Sequence, residues 1–549
     1  MKTRLIEKTP SAYDYPLLIK QLLLTSPVHQ ADQEIVHRES RRYTYRQFQA
    51  RVKRLASGLR AIGLEAGDMV AVLDWDSHRY LECYFGVPGL GAVLHTVNVR
   101  LSQEQVLYTL RHAEDAAVIV HEEFLPLVEA VQSKLPSVKK WILIRESDRD
   151  IKSSVPFHAE YEELLALGDE DYSFPDFDEN SQATLSYTTG TTGEPKGVCF
   201  SHRQIVLHTL GLAAAFGAMA GQGRFRSDDV YMPLTPMFHV HAWGLPFLAT
   251  MLGVKQVYPG RYDPEIILNL LIKEKVTFSH CVPTVLSLLL NSPVINEVNL
   301  SGWKVVVGGD ALPRGLAKAA LDLGLDVYSA YGLSETCPLL TTALLNREDL
   351  DADREHQLDR RIKTGLAAPL VDLQIRDNLD RPLPYDGRCC GEIVARAPWA
   401  ALGYHKNQIQ SEDLWRGGYL HTGDAACVES GGCFQITDRI KPVIKTGGEW
   451  ISFLELEALI SRHPAVAEVA VVGVPDEKWG ERPLALVVPA TGRIEDFPAE
   501  EVKSFLLKFV EEGVISKYAL PDRILAVDHL PKTSVGKINK KVIREKIKV

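Results

Sequence analysis

Short apolar segments alternate with longer amphipathic segments along most of this 549-residue chain. Five segments have the β-branched, apolar composition of buried strands: VAVLDW, AAVIVH, KKWILI, ATLSYT and KVVVGG. Two stretches between them repeat apolar residues at the spacing of an amphipathic helix, RQFQARVKRLASGLRAIG and PEIILNLLIKEKV. This alternation predicts an α/β fold with largely parallel sheets.

Length and charge narrow the class of protein further. At about 150 residues per domain, the chain is long enough for three to four domains. Its formal net charge is −10, from 61 basic and 71 acidic residues. Sequence-independent binding to nucleic acid needs a strong cationic field, so nucleic acid is excluded as a partner.

The eight cysteines are scattered and include no CxxC pair. Neither the adjacent Cys389 and Cys390 nor the separated Cys427 and Cys433 have the spacing of a zinc site. We therefore expect reduced, mostly buried thiols, as in a cytosolic protein. The N-terminus has no apolar core of a secretory signal, and the longest apolar stretch, AWGLPFLATMLGV, is shorter than the about 20 residues of a membrane span. These features predict a soluble, cytoplasmic protein.

The chain changes character near residues 438–450. Glycine-rich turns precede this segment, and a new helix, FLELEALISRH, and a new strand, EVAVVGV, follow it. The remaining part, of about 110 residues, has the size of one small domain. The sequence therefore predicts a large N-terminal domain and a small C-terminal domain joined by a hinge.

A loop rich in threonine and glycine follows the strand ATLSYT and ends in a lysine. Its candidate phosphate-binding residues are Thr188, Thr189, Gly190, Thr191, Thr192, Gly193 and Lys196. Glycine permits the backbone angles of a concave nest, whose N–H groups and hydroxyls can bind phosphate oxygens. The loop is not the GxxxxGK[ST] motif, because Lys196 is neither preceded by glycine nor followed by a hydroxyl. A kinase or motor of that type is therefore disfavoured.

Five further motifs follow this loop: GGDALP, YGLSETCP, GGYLHTGD, DRIKPVIKTGGEWIS and PKTSVGK. Together with YTTGTTGEPKG, their order resembles the AMP-forming adenylating superfamily of acyl-CoA synthetases, luciferases and peptide-synthetase adenylation domains. The bacterial medium- and long-chain fatty-acid–CoA ligases are the most similar members, and the resemblance runs from about residue 30 to the C-terminus. It implies a large N-terminal domain of packed mixed sheets with helices (1–437), a hinge (438–441) and a small, mobile α+β domain (442–549).

The resemblance implies that a carboxylate attacks the α-phosphate of ATP, giving acyl-AMP and pyrophosphate. Thr188 and Glu335 match the family's Mg²⁺ ligands, which agrees with the preference of this hard cation for oxygen. Tyr331 would stack on adenine, and Asp424 and Arg439 would bind the nucleotide through hydrogen bonds. The remaining positions matched to the nucleotide site are Gly308, Gly309, Ala330, Gly332, Ser334 and Lys445; the family commonly has glycine at position 330.

The same resemblance assigns the catalytic residues. Lys537 matches the lysine that bridges the substrate carboxylate and the α-phosphate, where an ammonium offsets the repulsion of two anions. Lys441 matches the hinge about which the small domain rotates before coenzyme A attacks the acyl-adenylate. Gly447, Gly448 and Trp450 would then border the channel for the pantetheine arm. Pro442 departs from the acidic residue of the family and restricts Lys441.

The segment MFHVHAWGLP matches the lining of the acyl pocket. His239 would lie near the adenylate, and Trp243 corresponds to an aromatic gate on the fatty-acyl tunnel. His241 replaces the asparagine expected there. No acidic residue occurs between Tyr231 and Tyr262, so a cationic substrate would have no counter-ion in this segment.

These features predict an acyl-CoA synthetase for an apolar carboxylic acid, most simply a medium- or long-chain fatty acid. Short, branched, thioether-containing and aryl acids remain open as substrates, and so does an adenylation enzyme that loads a carrier protein. A non-catalytic nucleotide sensor would be expected to have lost Lys537 or Glu335, and both are present. Small-molecule substrates are the expected partners, and relatives in this family suggest a homodimer.

Overall fold

The computed structural model describes residues 3–547 except 148–150, 189–193, 218–222, 440–443, 447–448, 452, 477–479, 512–514, 516–518 and 534–535. For a few further residues it describes the backbone alone: 296–297, 438–439, 444–446, 449–451, 454–455, 480–481 and 541.

The strands lie in four sheets. In chain order they are β1 (Glu34–His37), β2 (Arg41–Thr44), β3 (Met69–Leu73), β4 (Val93–Thr96), β5 (Ala117–His121), β6 (Lys140–Ile144), β7 (Phe157–Glu160), β8 (Gln182–Thr188), β9 (Lys196–Ser201), β10 (Val230–Leu234), β11 (Lys255–Tyr258), β12 (Phe278–Cys281), β13 (Lys304–Val307), β14 (Asp326–Gly332), β15 (Leu339–Thr342), β16 (Leu366–Ala367), β17 (Asp372–Arg376), β18 (Cys390–Arg396), β19 (Leu420–Val428), β20 (Phe434–Arg439), β21 (Ile444–Thr446), β22 (Glu449–Ile451), β23 (Val466–Asp476), β24 (Gly480–Pro489) and β25 (Arg523–Ala526).

Helical segments connect the strands and cover the sheets. They are α1 (Ser26–His29), α2 (Tyr45–Ala61), α3 (His78–Leu90), α4 (Gln103–Ala113), α5 (Leu125–Val131), α6 (Tyr161–Leu167), α7 (His202–Gly217), α8 (Val240–Trp243), α9 (Leu245–Leu252), α10 (Pro264–Glu274), α11 (Pro283–Leu290), α12 (Arg314–Asp322), α13 (Arg347–Asp351), α14 (Arg354–Arg361), α15 (Gln408–Leu414), α16 (Phe453–Ile460), α17 (Ala499–Glu511) and α18 (Lys540–Ile547). None of these described helices is long and apolar enough to cross a lipid bilayer.

Two large sheets form the body of the N-terminal part. The first has the strand order β7-β6-β5-β3-β4-β8-β9, and the second has the order β16-β15-β14-β13-β12-β10-β11-β1-β2. Neighbouring strands are parallel, except that β9 in the first sheet and β2, β15 and β16 in the second form antiparallel pairs. All five predicted strand segments lie in these sheets, and the α/β prediction is confirmed.

Parallel strands bring several predicted site residues to one edge of each sheet. In a parallel sheet the carboxyl ends of the strands meet, and ligands bind there. Thr188 ends β8, while Gly308 directly follows β13 and Tyr331 lies near the end of β14. His239 lies in the turn after β10. The strand ends thus place these residues on the loop side of the two sheets.

The remaining two sheets are smaller. Strands β17, β18, β19 and β20 form an antiparallel sheet that carries Asp424 on β19. The last sheet has the order β22-β21-β24-β23, with β25 parallel to β24, and α16, α17 and α18 accompany it. It has its own apolar core, which includes Phe453, Leu456 and Val471. This α+β arrangement matches the prediction for the C-terminal part.

The expectation of reduced thiols is wrong for one pair of cysteines. Cys390 on β18 and Cys427 on β19 are opposite each other in the antiparallel register, with Cα atoms 4.3 Å apart, and are joined by a disulfide. Their separation of 37 residues gives no sign of this pairing, because strand register determines it. Among the other cysteines, Cys83, Cys281, Cys337 and Cys433 are buried as expected, whereas Cys199 and Cys389 are partly exposed.

The segment α8 is a left-handed turn. Val240, His241, Ala242 and Trp243 have φ values of 44°, 57°, 47° and 59°, and Gly244 follows with φ of 75°. For residues other than glycine this conformation costs about 1–2 kcal/mol each. The turn points two neighbouring ring systems in different directions: the His241 ring contacts Tyr84, whereas the Trp243 ring contacts His280. Strain of this kind persists where the surrounding structure holds it and clusters at functional sites.

A buried carboxylate connects three loops beside this turn. Asp76, in the loop after β3, accepts hydrogen bonds from the backbone N–H of Met237 at 2.8 Å and from the Tyr262 hydroxyl at 2.7 Å. Its backbone carbonyl accepts a third from the N–H of Gly260. Burial raises the pKa of Asp76 to about 7, although both donors oppose the shift. Asp76 therefore fixes the start of the segment that leads to His239.

We predict that Ala242→Gly is much less destabilising than Ala249→Gly. Both alanines are fully buried, so each change removes one methyl group, which contributes about 0.8 kcal/mol. Glycine relieves the left-handed strain at position 242, whereas in the right-handed helix α9 it costs about a further 1 kcal/mol. Thermal unfolding midpoints of the two variants check this. Equal losses at the two positions would contradict the strained turn.

The Asp76 network predicts a pH-dependent stability. Its folded pKa of about 7 exceeds the usual value of 3.8, so the folded protein keeps a proton that the unfolded chain releases. The free energy of unfolding that this group contributes therefore declines as pH rises from about 4 to 7, by about 1.4 kcal/mol per pH unit. We expect the thermal unfolding midpoint of Asp76→Asn to rise relative to that of the wild type as pH increases from 5 to 8. Parallel pH profiles of the variant and the wild type would contradict the raised pKa of Asp76.

Candidate active site

A tyrosine that the sequence analysis did not single out connects the phosphate loop to Glu335. The Tyr404 hydroxyl donates a hydrogen bond to Oε1 of Glu335 at 2.6 Å, and the Lys196 ammonium lies 4.8 Å from the centre of the Tyr404 ring. Lys196 is opposite Thr188 in the β8/β9 register. Thr188, Lys196 and Glu335 therefore converge around one aromatic side chain. Burial and the neighbouring carboxylate raise the pKa of Tyr404, which remains a hydrogen-bond donor at neutral pH.

Part of the predicted phosphate loop lies outside the described residues. Thr189, Gly190, Thr191, Thr192 and Gly193 belong to this part. Thr188 and Lys196, which flank this part, are partners in the β8/β9 register. Thr188 is the last residue of β8 and therefore lies at the carboxyl edge of the first sheet.

The residues around Glu335 are suited to a magnesium ion shared with a nucleotide. A carboxylate and a threonine hydroxyl are hard oxygen ligands, and Mg²⁺ is commonly bound by one or two carboxylates together with substrate phosphates. Glu335 is half-buried at the start of a short 3₁₀ turn (Ser334–Thr336), and its backbone carbonyl accepts from the N–H of Ala401. Within the described parts of the chain, no three His, Cys, Asp or Glu side chains cluster as an independent metal site.

Tyr331 and Asp424 form the predicted nucleotide pair. The Tyr331 hydroxyl donates to Oδ2 of Asp424 at 2.8 Å, and this carboxylate is 5% exposed. This contact joins the second sheet to the antiparallel sheet. Gly332 follows at a bulge, where a Cβ atom would lie 1.4 Å from the carbonyl oxygen of Pro338, so a side chain has no space there. The backbone of Arg439 is opposite Asp424 in the β19/β20 register.

Gly308 and Gly309 give a close approach between the second sheet and the left-handed turn. A Cβ atom on Gly308 would lie 2.9 Å from the carbonyl oxygen of Ala330 and 3.1 Å from the Trp243 ring. Gly309 has φ of 80°, which also favours glycine. Trp243 is 9% exposed and its ring centre lies 5.0 Å from that of His280. The predicted adenine side and the predicted acyl side thus meet at Gly308.

Lys537 reaches this junction from the C-terminal domain. A Cβ atom on Gly309 would lie 3.3 Å from Cε of Lys537, so the lysine side chain passes directly over the glycine. The positive charge of Lys537 also contributes to the low pKa of His239, which places the two side chains within electrostatic reach. The structure therefore brings together Gly309, His239, Trp243 and Lys537, all of which the sequence analysis named as candidate site residues.

His239 is held neutral. Burial lowers its pKa to about 3, and the positive charges of Lys537 and Arg100 act in the same direction. Arg100 lies over the ring of Phe238, with its guanidinium carbon 5.9 Å from the ring centre. A neutral imidazole can donate or accept a hydrogen bond without adding charge to the site.

Several predicted residues of the C-terminal segment have no described side chain. Lys441, Gly447 and Gly448 lie outside the described residues, and the side chains of Lys445 and Trp450 are not described. Their backbones are opposite each other in the β21/β22 hairpin. The predicted roles of this segment therefore remain predictions.

The sequence motifs did not indicate three residues that contact the site. Tyr404 binds Glu335, Arg100 lies beside His239, and Thr284 donates a hydrogen bond to the carbonyl of Gly536. Each lies in a loop or helix start with an ordinary composition, far along the chain from its partner. In the sequence CVPT, Thr284 follows shortly after a buried strand. This position is the one local signal that could have indicated a residue at the carboxyl edge of the sheet.

Comparison with known proteins agrees with this geometry. A family model described as AMP-binding enzyme matches residues 25–405, and one described as AMP-binding enzyme C-terminal domain matches residues 455–537. A long-chain-fatty-acid–CoA ligase of Thermus thermophilus is 41% identical over 513 residues, which cover 93% of this chain and 91% of the relative.

A second relative and a solved structure extend the comparison. A 3-methylmercaptopropionyl-CoA ligase of Ruegeria lacuscaerulensis is 37% identical over 542 residues, covering 97% of this chain and 98% of the relative. The crystal structure of an anthranilate CoA ligase in complex with anthranoyl-AMP shares the fold, with a TM-score of 0.83, 24% identity and 97% of each chain covered. The chain therefore belongs to the AMP-binding enzyme family, and within it to the AMP-forming CoA ligases.

Proposed function

We propose that this protein is an acyl-CoA synthetase that activates an apolar carboxylic acid, in particular a medium- or long-chain fatty acid. One observation carries the proposal: the side chain of Lys537 lies over Gly309 and within electrostatic reach of His239. The Trp243 ring, which we assign to the acyl side, contacts the same glycine, and Ala330, next to Tyr331, contacts the neighbouring Gly308.

In the first step, a carboxylate oxygen of the substrate attacks the α-phosphorus of ATP. A new oxygen–phosphorus bond forms as the bond to the pyrophosphate oxygen breaks, and pyrophosphate leaves with the electron pair. The Lys537 ammonium offsets the repulsion between the two anions and the charge that develops between them. Thr188, Lys196 and the loop between them hold the departing pyrophosphate portion. Thr188 and Glu335 would hold Mg²⁺, which neutralises phosphate charge when bound.

The nucleotide is oriented by residues on two sheets. Tyr331 offers a ring for adenine, and Asp424 offers carboxylate oxygens for the ribose hydroxyls. Ala330, Gly332 and Ser334 border this position through the backbone. The Tyr331–Asp424 hydrogen bond keeps the two groups in a fixed relation, so little order must be gained on binding.

In the second step, the sulfur of coenzyme A attacks the acyl carbonyl carbon of the adenylate. A carbon–sulfur bond forms, the thiol proton is lost and AMP leaves. We propose that the segment 438–441, with Lys441, is a hinge that exchanges Lys537 for Gly447, Gly448 and Trp450 beside the adenylate, with Lys445 near the nucleotide. In support, β20 ends at Arg439 in the antiparallel sheet, and the next strand, β21, belongs to the C-terminal sheet.

The charge state of the predicted acyl side supports an apolar substrate. Burial lowers the pKa of His241 and of His280 to about 3, so both imidazoles are neutral at physiological pH. Trp243 adds an apolar ring beside them. A charged acyl group would find no opposite charge among these residues. The two relatives are named for a long-chain fatty acid and a thioether-containing acid, and both are acids without a second charge.

Lys537→Ala should abolish adenylation, with a fall in the rate of pyrophosphate release of about 10²-fold or more, the scale on which one preorganised donor acts. The control is Lys532→Ala in the same motif, because Lys532 forms a partly exposed ion pair with Glu468. We expect this control to keep the wild-type rate. Equal rates for the wild type and Lys537→Ala would contradict the assignment of the catalytic lysine.

Pyrophosphate release with ATP and Mg²⁺ identifies the acid. The panel contains fatty acids from C3 to C18, benzoate and a thioether acid, and each acid is measured with and without coenzyme A. We expect the highest kcat/KM with a medium- or long-chain acid and stoichiometric acyl-CoA. A preference for a short, thioether or aryl acid would replace the fatty acid in the proposal. Pyrophosphate release without consumption of coenzyme A would indicate a carrier protein as acceptor. No release with any acid would contradict the proposed function.

A further inference from the structure

A hydrogen bond connects the N-terminal domain to the residue before Lys537. Oγ1 of Thr284 donates to the carbonyl oxygen of Gly536 at 3.1 Å. Thr284 is the second residue of α11, which begins two residues after β12 ends. Gly536 lies 252 positions further along the chain, in the C-terminal domain. The contact therefore spans the two domains at the point where the lysine enters the site.

The packing around this contact is close. A Cβ atom on Gly536, which has φ of 84°, would lie 2.9 Å from Oγ1 of Thr284 and 3.5 Å from Cγ2 of Val282. A Cβ atom on Gly309 would likewise lie 3.1 Å from Cγ1 of Val282 and 3.3 Å from Cε of Lys537. Val282 and Thr284 thus form one wall along which the Gly536–Lys537 segment lies.

Within the C-terminal domain, the lysine turn is closed by its own hydrogen bonds. Oγ1 of Thr533 accepts from the backbone N–H of Lys537 at 3.1 Å, and the N–H of Thr533 donates to the Lys537 carbonyl at 2.6 Å. These bonds fix the shape of the turn but not its position relative to Gly309 and His239. Thr284 supplies a bond between the turn and the N-terminal domain.

We propose that Thr284 is a positioning residue for the adenylate-forming step, in which it holds Lys537 over Gly309 while the carboxylate attacks ATP. The hydrogen bond from Thr284 to Gly536 is then absent when the thioester forms. The inference rests on the proposed function and on the proposed rotation about residues 438–441. A lysine side chain has four rotatable bonds, so its ammonium is accurately placed only if its backbone is held. Displacement of a catalytic group by about 1 Å can cost about 10²-fold in rate.

The proposal separates the two half-reactions. Thr284→Val keeps the shape of the side chain but removes the hydroxyl, and Thr284→Ser keeps the hydroxyl. We expect Thr284→Val to lower the rate of acid-dependent ATP–pyrophosphate exchange by about tenfold, the effect of one neutral hydrogen bond. The same variant should convert added lauroyl-AMP and coenzyme A to lauroyl-CoA within about twofold of the wild-type rate. Thr284→Ser should restore the exchange.

A matched control distinguishes this role from a general loss of stability. Thr25 makes the same kind of contact, with Oγ1 donating to the carbonyl of Met251 at 3.1 Å, but it lies in the N-terminal segment away from Lys537. Thr25→Val should leave both half-reactions unchanged. Amide hydrogen exchange of the peptide 531–539 should rise in Thr284→Val and not in Thr25→Val, which reports the loss of docking without reference to activity.

The outcomes are distinct. Equal losses in the two half-reactions of Thr284→Val, or no loss in the exchange, would overturn the positioning role. Unchanged hydrogen exchange at 531–539 would do the same. Wild-type protein without exchange activity on any acid would instead contradict the proposed function, and the hydrogen-exchange comparison would still test the contact between Thr284 and Gly536.

Discussion

The placement of the Lys537 ammonium over Gly309 is the interaction on which the rest of the site depends. The proposed reaction joins two anions, so a cation must lie between them to offset their repulsion. Burial keeps His239, on the side of the acid, neutral, with its pKa near 3. The ammonium is therefore placed beside a group that can form hydrogen bonds but carries no charge at neutral pH. Lys537 and Arg100 are the cations whose charges act on His239.

The shape of the site follows from the absence of side chains at a few positions. Gly308 and Gly309 let the Trp243 ring and the lysine side chain approach the second sheet, and any Cβ atom there would be closer than about 3.4 Å to one of its neighbours. The left-handed turn at 240–243 complements them, because it turns the Trp243 ring towards Gly308 and the His241 ring towards Tyr84. Asp76 then fixes the approach to this turn through Met237. The strain of residues 240–243 and the burial of Asp76 both cost free energy, which the surrounding packing offsets. The side chains around Gly308 are therefore held in one arrangement.

Local sequence predicted the parts of this structure that depend on local physics. Strands such as VAVLDW and KVVVGG appear where their composition indicates, and ATLSYT forms the strand that leads into the threonine- and glycine-rich loop. Strand register and contacts between distant parts of the chain could not be predicted in this way. The Tyr404–Glu335 bond spans 69 positions and the Thr284–Gly536 bond spans 252. The Cys390–Cys427 disulfide shows the same limit, because which residues of two strands are opposite each other is decided by the whole sheet.

The two domains are held together in a way that permits separation. The Thr284–Gly536 bond is between neutral groups, which contributes about 1 kcal/mol rather than the larger energy of a charged pair. Two neighbouring charge pairs across the domains have like sign. Burial lowers the pKa of Arg462, and the charge of Arg314, itself bonded to Glu355 and Asp359, adds to this shift. Burial raises the pKa of Glu457, which is paired with Lys540, and the charge of Asp310 adds to this shift. Like charges oppose docking, so these two pairs do not strengthen the contact between the domains. In the proposed cycle, Lys537 is present for the first step and absent for the second, which requires contacts specific enough to position it and weak enough to release it.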